Sequence, residues 1–334
     1  MSSLNVVKHG SGIVIRYQGL KIALDTSLPG RLTLLSHSHM DHISDLSDAA
    51  KVVTTKGTID TYLARNGRVR WENIVVDYGD SYMSKGVEIT PLNAGHVLGS
   101  SMFLLKFRDG LRLLYTGDFN NVDSIVHQAA EPTDADVLIT EATYGSPYWV
   151  FPDRKSIHED IVSRARMILS EDRIPVFQAY SLGKAQEALA LLHRENLDAI
   201  GGNPPILEVN KVYCDYGAKL SLLSIDSANA FELLDSGCVI VSSHPGHTLR
   251  NLRRLVGDRK AREIEMRIEI LNLSGWVLGN SIDTGFPLSA HTDFQGLIRF
   301  AKDVNPRVVY CFTDKANEFS THLMDEGLKA VPLE

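Results

Sequence analysis

The sequence predicts a layered α/β protein interrupted by a second α/β domain. Three observations carry this. Residues 1–150 alternate short β-branched strands with helices, residues 151–274 alternate strand and helix as a parallel sheet requires, and Pro147 and Pro152 punctuate the junction. In the first part, residues 12–17, 20–24, 31–35, 87–90, 102–107 and 111–118 are apolar or β-branched runs bounded by Gly, Asp or Pro. A helix is expected over residues 55–65. In the second part, helices are expected over 156–171 and 182–194, strands over 174–180 and 239–243, and a turn over 201–205. The chain is expected to return to the first domain over residues 275–334, adding the last strands and a terminal helix.

Composition excludes several classes. At 334 residues and 44% hydrophobic content, the chain can bury a core and has room for two domains. No apolar run approaches the roughly 20 residues needed to span a bilayer. Residues 1–8 lack the basic-then-apolar pattern of a signal peptide. The three cysteines, Cys214, Cys238 and Cys311, are too far apart for a disulfide framework or a thiolate zinc site. A cytoplasmic protein in a reducing compartment is the expectation. A net charge of −7 argues against a basic nucleic-acid coat, although bound cations and a locally basic groove would still serve a nuclease.

The chemistry concentrates in Ser36-His37-Ser38-His39-Met40-Asp41-His42, an H-x-H-x-D-H pattern directly after a strand. Residues two apart on an extended segment point the same way, so His37 and His39 can reach one ion. Asp41 and His42, at the start of a helix, can reach a second. His96 in Ala94-Gly95-His96 and Asp118 in Thr116-Gly117-Asp118 each follow an apolar strand. His96 would complete the first set, and Asp118 would bridge the two. Imidazole and carboxylate ligands suit zinc, one ion or two, and manganese is also compatible.

The full signature, followed in order by the later His and Asp, resembles the metallo-β-lactamase superfamily. Ile139-Thr140-Glu141-Ala142-Thr143-Tyr144-Gly145, the later Ser289-Ala290-His291 and the long insert between them resemble its β-CASP branch of nucleic-acid hydrolases. Residues 179–186 and Ser274-Gly275-Trp276 are similar to exonucleases that accompany DNA ligases. The resemblance implies an αββα sandwich with two mixed sheets face to face, interrupted by a β-CASP α/β insert. It implies a metal-dependent nuclease of single-stranded DNA or RNA, without a membrane, and a homodimer by analogy. It implies catalytic roles for Asp41, for His291 near the leaving group and for Glu141 as its partner. One ligand of the RNA-processing members is missing: Thr313 stands where they, and generally the ligase-associated relatives, carry a late histidine; some DNA-processing relatives also lack it, which gives a slight lean toward DNA.

Ser242-Ser243-His244-Pro245-Gly246-His247-Thr248 joins a strand to a helix, a turn that exposes N–H groups to anions. Ser243, His247, Thr248 and Arg250 are therefore candidates for phosphate contacts, against the plainer reading of a capped helix. Residues 250–267 hold seven Lys or Arg against three acids, a substrate channel or a solvated helix face. Gly183-Lys184 lacks the upstream glycine of a phosphate-binding loop. The alternatives to a nuclease are a small thioester or lactone hydrolase and a non-catalytic scaffold.

Overall fold

The computed structural model describes residues 4–202, 204–279 and 284–333; of the segments read above, residues 1–3, Asn203, 280–283 and Glu334 lie outside it. The chain divides into two compact units. The first comprises residues 1–123, 127–150 and 290–334, and the second residues 124–126 and 151–289.

The first unit is an αββα sandwich. One sheet runs in the order Asn5–His9, Gly12–Tyr17, Leu20–Leu24, Leu32–Leu34, Lys51–Thr54, Glu72–Val75. Its first three strands pair antiparallel and its last four parallel. The other sheet runs Ala330–Pro332, Val308–Phe312, Val137–Glu141, Arg112–Tyr115, Ser101–Phe107, Val87–Asn93, Tyr82–Ser84, and is likewise mixed. The period-2 alternation of strands assigns each face. Leu113 and Tyr115 join the inter-sheet core with Ile22, Leu24 and Leu34. Leu114, between them, faces the other way and packs with Phe300, Val304 and Phe319 of the helices Phe294–Val304 and Ala316–Asp325. Burying one such side chain contributes roughly 1.5–3 kcal/mol.

The second unit holds a parallel sheet in the order Ala199–Ile200, Val239–Ser242, Ile174–Gln178, Ile268–Leu273, Gly285–Phe286. Buried Ile161, Ala165 and Ile168 of the helix Arg154–Ser170 and Leu189 and Leu192 of the helix Lys184–Arg194 pack on it. The return to the first unit comes at Ala290, later than the expected 275. The reason is pairing: Gly285–Phe286 extends the second unit's sheet against Asn272 and Leu273. The basic segment after His244 is one long helix, Pro245–Glu265, kinked at Gly257, which has φ 79°. Among the described residues no helix is long and apolar enough to cross a membrane.

Candidate metal centre

Strand ends of the first unit deliver the donors to one point. His37 and His39 follow Leu32–Leu34, Asp118 follows Arg112–Tyr115, and His96 rides a tight loop closed by Ala94 N to Ser100 O at 3.0 Å. Two glycines make the approach possible. Gly99 has φ 80°, and a Cβ there would stand 2.1 Å from the backbone N of Thr58. Thr55 and Thr58 donate their hydroxyls to the Gly99 carbonyl at 2.5 and 2.8 Å, which fixes the loop carrying His96 to the helix Lys56–Asn66. Gly117, with φ 53°, lets the chain pass Ser36, whose Cβ would lie 2.6 Å from an added methyl.

His37, His39, His96 and Asp118 each offer a ligand atom, all within 4.8 Å of one another. His37 Nε2 and His96 Nε2 each lie 3.0 Å from His39 Nδ1. Asp118 Oδ2 lies 3.6 Å from His37 Nε2 and 3.8 Å from His96 Nε2. Four ligands about 2.1 Å from one tetrahedral ion stand about 3.4 Å apart, and the observed spacings bracket that value. The donor set thus fits a divalent cation. Burial, then the charge of neighbouring histidines, pushes His37 and His96 well below the usual histidine range. They are therefore neutral, the form that ligates.

Asp41, His42 and Asp118 form a second set. Asp118 Oδ2 is 3.2 Å from His42 Nε2, and Asp41 Oδ2 is 3.7 Å from it. The same Asp118 oxygen therefore faces both sets. Burial opposes ionisation of Asp118, but His42 and His291 outweigh it and hold the carboxyl well below the usual range. His42 is the converse: burial disfavours its charge, yet Asp118 and Asp25 raise it well above the ordinary value.

The second nitrogen of three of these histidines is also held. Ser36 Oγ lies 2.9 Å from His37 Nδ1, Asp25 Oδ2 2.7 Å from His42 Nδ1, and the Ala290 carbonyl 2.9 Å from His96 Nδ1. Such outer partners fix ring orientation and ligand basicity. Asp25 carries the most. It accepts from Ser36 N and Oγ, from Tyr115 Oη and from His42 while buried in the left-handed region at φ 50°. Sequence reading passed over Asp25. The available signal was its place, an acid directly after the buried end of Leu20–Leu24, the same placement that singled out Asp118.

Glu141 and His291 meet, with His291 Nδ1 3.0 Å from both carboxylate oxygens. Glu141 Oε1 also accepts from Phe119 N at 2.8 Å, which fixes the carboxylate. These two residues and Asp118 form a third group of close ligand atoms. The His291 ring lies 4.5 Å from that of His96. Thr313 sits just past Val308–Phe312 at φ 77°, strained for a β-branched residue, and its Oγ1 accepts from Ala142 N at 2.9 Å.

The other expected contacts lie in the second unit. His247 and Arg250 are exposed at the first turns of Pro245–Glu265, and Ser243 is half-buried with Oγ 3.1 Å from His244 Nδ1. Thr248 is 1% exposed, and its hydroxyl lies 2.7 Å from Ser242 Oγ, so its side chain ties the turn together.

Residues 16–174 match the beta-lactamase superfamily domain. The chain is 29% identical over 314 residues to a probable DNA ligase of Opitutus terrae, covering 92% of this chain and 29% of that protein. It is 23% identical over 407 residues to cleavage and polyadenylation specificity factor 73 of Drosophila melanogaster, covering 93% and 58% respectively. It is 28% identical over 205 residues to the probable RNase MJ4 of Methanocaldococcus jannaschii, covering 56% and 47%. The chain thus spans less than two thirds of the length of each of these relatives. The matched beta-lactamase superfamily domain accords with the two mixed sheets face to face and the donor sets at their strand ends, and the chain is similar to these relatives over half or more of its length.

Proposed function

We propose that this chain is a zinc- or manganese-dependent phosphodiesterase that removes nucleotides from an end of single-stranded nucleic acid, DNA in preference to RNA. The observation that carries the reading is the position of Asp118 Oδ2 between two donor sets, with the Glu141–His291 pair beside it. His37, His39, His96 and Asp118 would hold one cation, and Asp41, His42 and Asp118 the second. Bound there, divalent cations neutralise phosphate charge and make water acidic enough to supply hydroxide at neutral pH.

The chain's own residues supply the rest. His291, whose Nδ1 is held by Glu141, would give a proton to the departing ribose or deoxyribose oxygen as its P–O bond breaks. Glu141, fixed by Phe119 N, holds that ring in place. His247 and Arg250 are the proposed backbone contacts in the second unit. Their exposure in the first turns of the helix Pro245–Glu265 supports this. The preference for DNA rests on Thr313 and on the likeness to a probable DNA ligase over 92% of the chain.

The test is a cleavage time course on matched end-labelled single-stranded DNA and RNA. Metal-stripped protein is supplied with Zn²⁺ or Mn²⁺, with Asp41→Ala as control. Metal- and Asp41-dependent shortening of DNA from one end is expected. A ladder from internal cuts overturns the end preference, faster cleavage of RNA overturns the sugar preference, and turnover of thioesters alone overturns the nuclease.

A further inference from the structure

We propose a second ligand site in the first unit, for a flat apolar ring that carries a phosphate or carboxylate. A cavity of about 500 Å³ lies at the rim of the sandwich, within the size range of small-molecule sites. Leu20, Ile22, Leu32, Tyr82 and Val87 line it and belong to, or pack on, the inter-sheet core. Its remaining wall is basic, with Lys21, Arg31, Lys51 and Lys85, and no Asp or Glu lines it. Lys51 is offset by Glu72 at 2.9 Å. Lys21, Arg31 and Lys85 pair with no carboxylate among the described residues, in a chain whose net charge is −7. An apolar floor rimmed by three uncompensated cations selects an amphipathic anion, because a neutral ring leaves the cations unused and a bare anion leaves the floor wet.

The place of the cavity separates it from the metal centre. Leu20, Leu32 and Lys51 open the strands Leu20–Leu24, Leu32–Leu34 and Lys51–Thr54. Asp25 and His37 follow the opposite ends of the first two. Five extended residues from Leu32 to His37 span roughly 16 Å. Two sources share the required chemistry, a nucleoside monophosphate and an aryl carboxylate. The assignment stands independently of the nuclease reading.

Saturation-transfer NMR with AMP, 2-naphthoate and adenosine tests it on the full chain and on the Arg31→Glu/Lys85→Glu variant. At least one of the two anions should bind the wild type tenfold or more tightly than the variant, while adenosine binds both alike. Whichever anion loses more names the source. Equal affinity of wild type and variant for both anions would place all binding elsewhere and overturn the site. The variant must keep the wild-type unfolding midpoint and zinc uptake. If it does not fold, Lys21→Gln at an exposed strand position replaces it, with the same two anions expected to weaken and adenosine unchanged.

Discussion

Each unit buries a polar cluster around histidine and carboxylate, and the two are built in opposite ways. In the first unit, lone pairs converge: three imidazole nitrogens and a carboxylate oxygen face one point, with spacings of 3.0–3.8 Å. In the second, donors and acceptors alternate. Glu187 Oε1 lies 2.9 Å from His158 Nε2, Glu187 Oε2 lies 3.2 Å from Arg154 Nη1, and the Lys184 ammonium lies 4.4 Å from the Tyr180 ring centroid. The first cluster asks for a cation from outside. The second supplies its own and carries positive charge to spare. Both hold histidines beside a buried carboxylate, so composition alone does not tell a metal centre from a structural ion network; the direction of the lone pairs does.

The largest effect expected from this difference is at Asp118. Asp118→Ala removes the oxygen common to both donor sets. It should lower nuclease activity by about three orders of magnitude or more, the scale of losing several kcal/mol of metal-assisted stabilisation. Activity within tenfold of wild type, with zinc content measured alongside, would break the assignment of the first cluster.

The second cluster makes a pH prediction with no metal in it. Burial, then Arg154, lowers Lys184 to about 8, against 10.5 in the unfolded chain. Below pH 8 both states hold the proton, and the fold bears the cost of a buried charge. Between pH 8 and 10.5 the unfolded chain keeps a proton that the folded chain has released, so this contribution to stability rises with pH, by about 3 kcal/mol in all. Lys184→Met should therefore be the more stable protein at pH 7.5 and lose that advantage by pH 10.5 in urea unfolding. A constant gap would sink the claim.

Asp25→Asn tests the support around the first cluster. It keeps the shape but weakens the hold on His42, and zinc or manganese affinity should fall by about 10–100-fold. Competitive chelator titration reads this directly, and an unchanged affinity would mean that Asp25 serves only packing. The smallest effect belongs to Thr248→Val, which removes a buried hydroxyl partner of Ser242. A loss of about 1 kcal/mol in stability is expected, with nucleic-acid affinity unchanged by fluorescence anisotropy.

The convergence of the candidate donors was legible because four of them sit within six residues and the strand period decides which point the same way. His96 and Asp118 were legible as polar residues at the ends of apolar strands. Asp25 was not, since a lone acid after a strand is common and its four donors come from Ser36, His42 and Tyr115, far apart in the chain. The inward direction of the Thr248 hydroxyl was hidden for a related reason. A strand-to-helix turn shows that the backbone reverses, but not which of its hydroxyls faces inward. The sheet order of the second unit, with its first strand in the middle, depends on crossovers that local pattern does not encode.

The late return of the chain has a consequence for biosynthesis. Ala290, whose carbonyl holds His96, and His291, which meets Glu141, arrive only after the entire second unit has been made. The strands Val308–Phe312 and Ala330–Pro332, which complete the second sheet of the sandwich, come later still. During translation the second unit can therefore fold while the first remains open. Until residues 290 and 291 have been made, His96 and Glu141 lack these partners, so the two donor groups are assembled only after the second unit is complete.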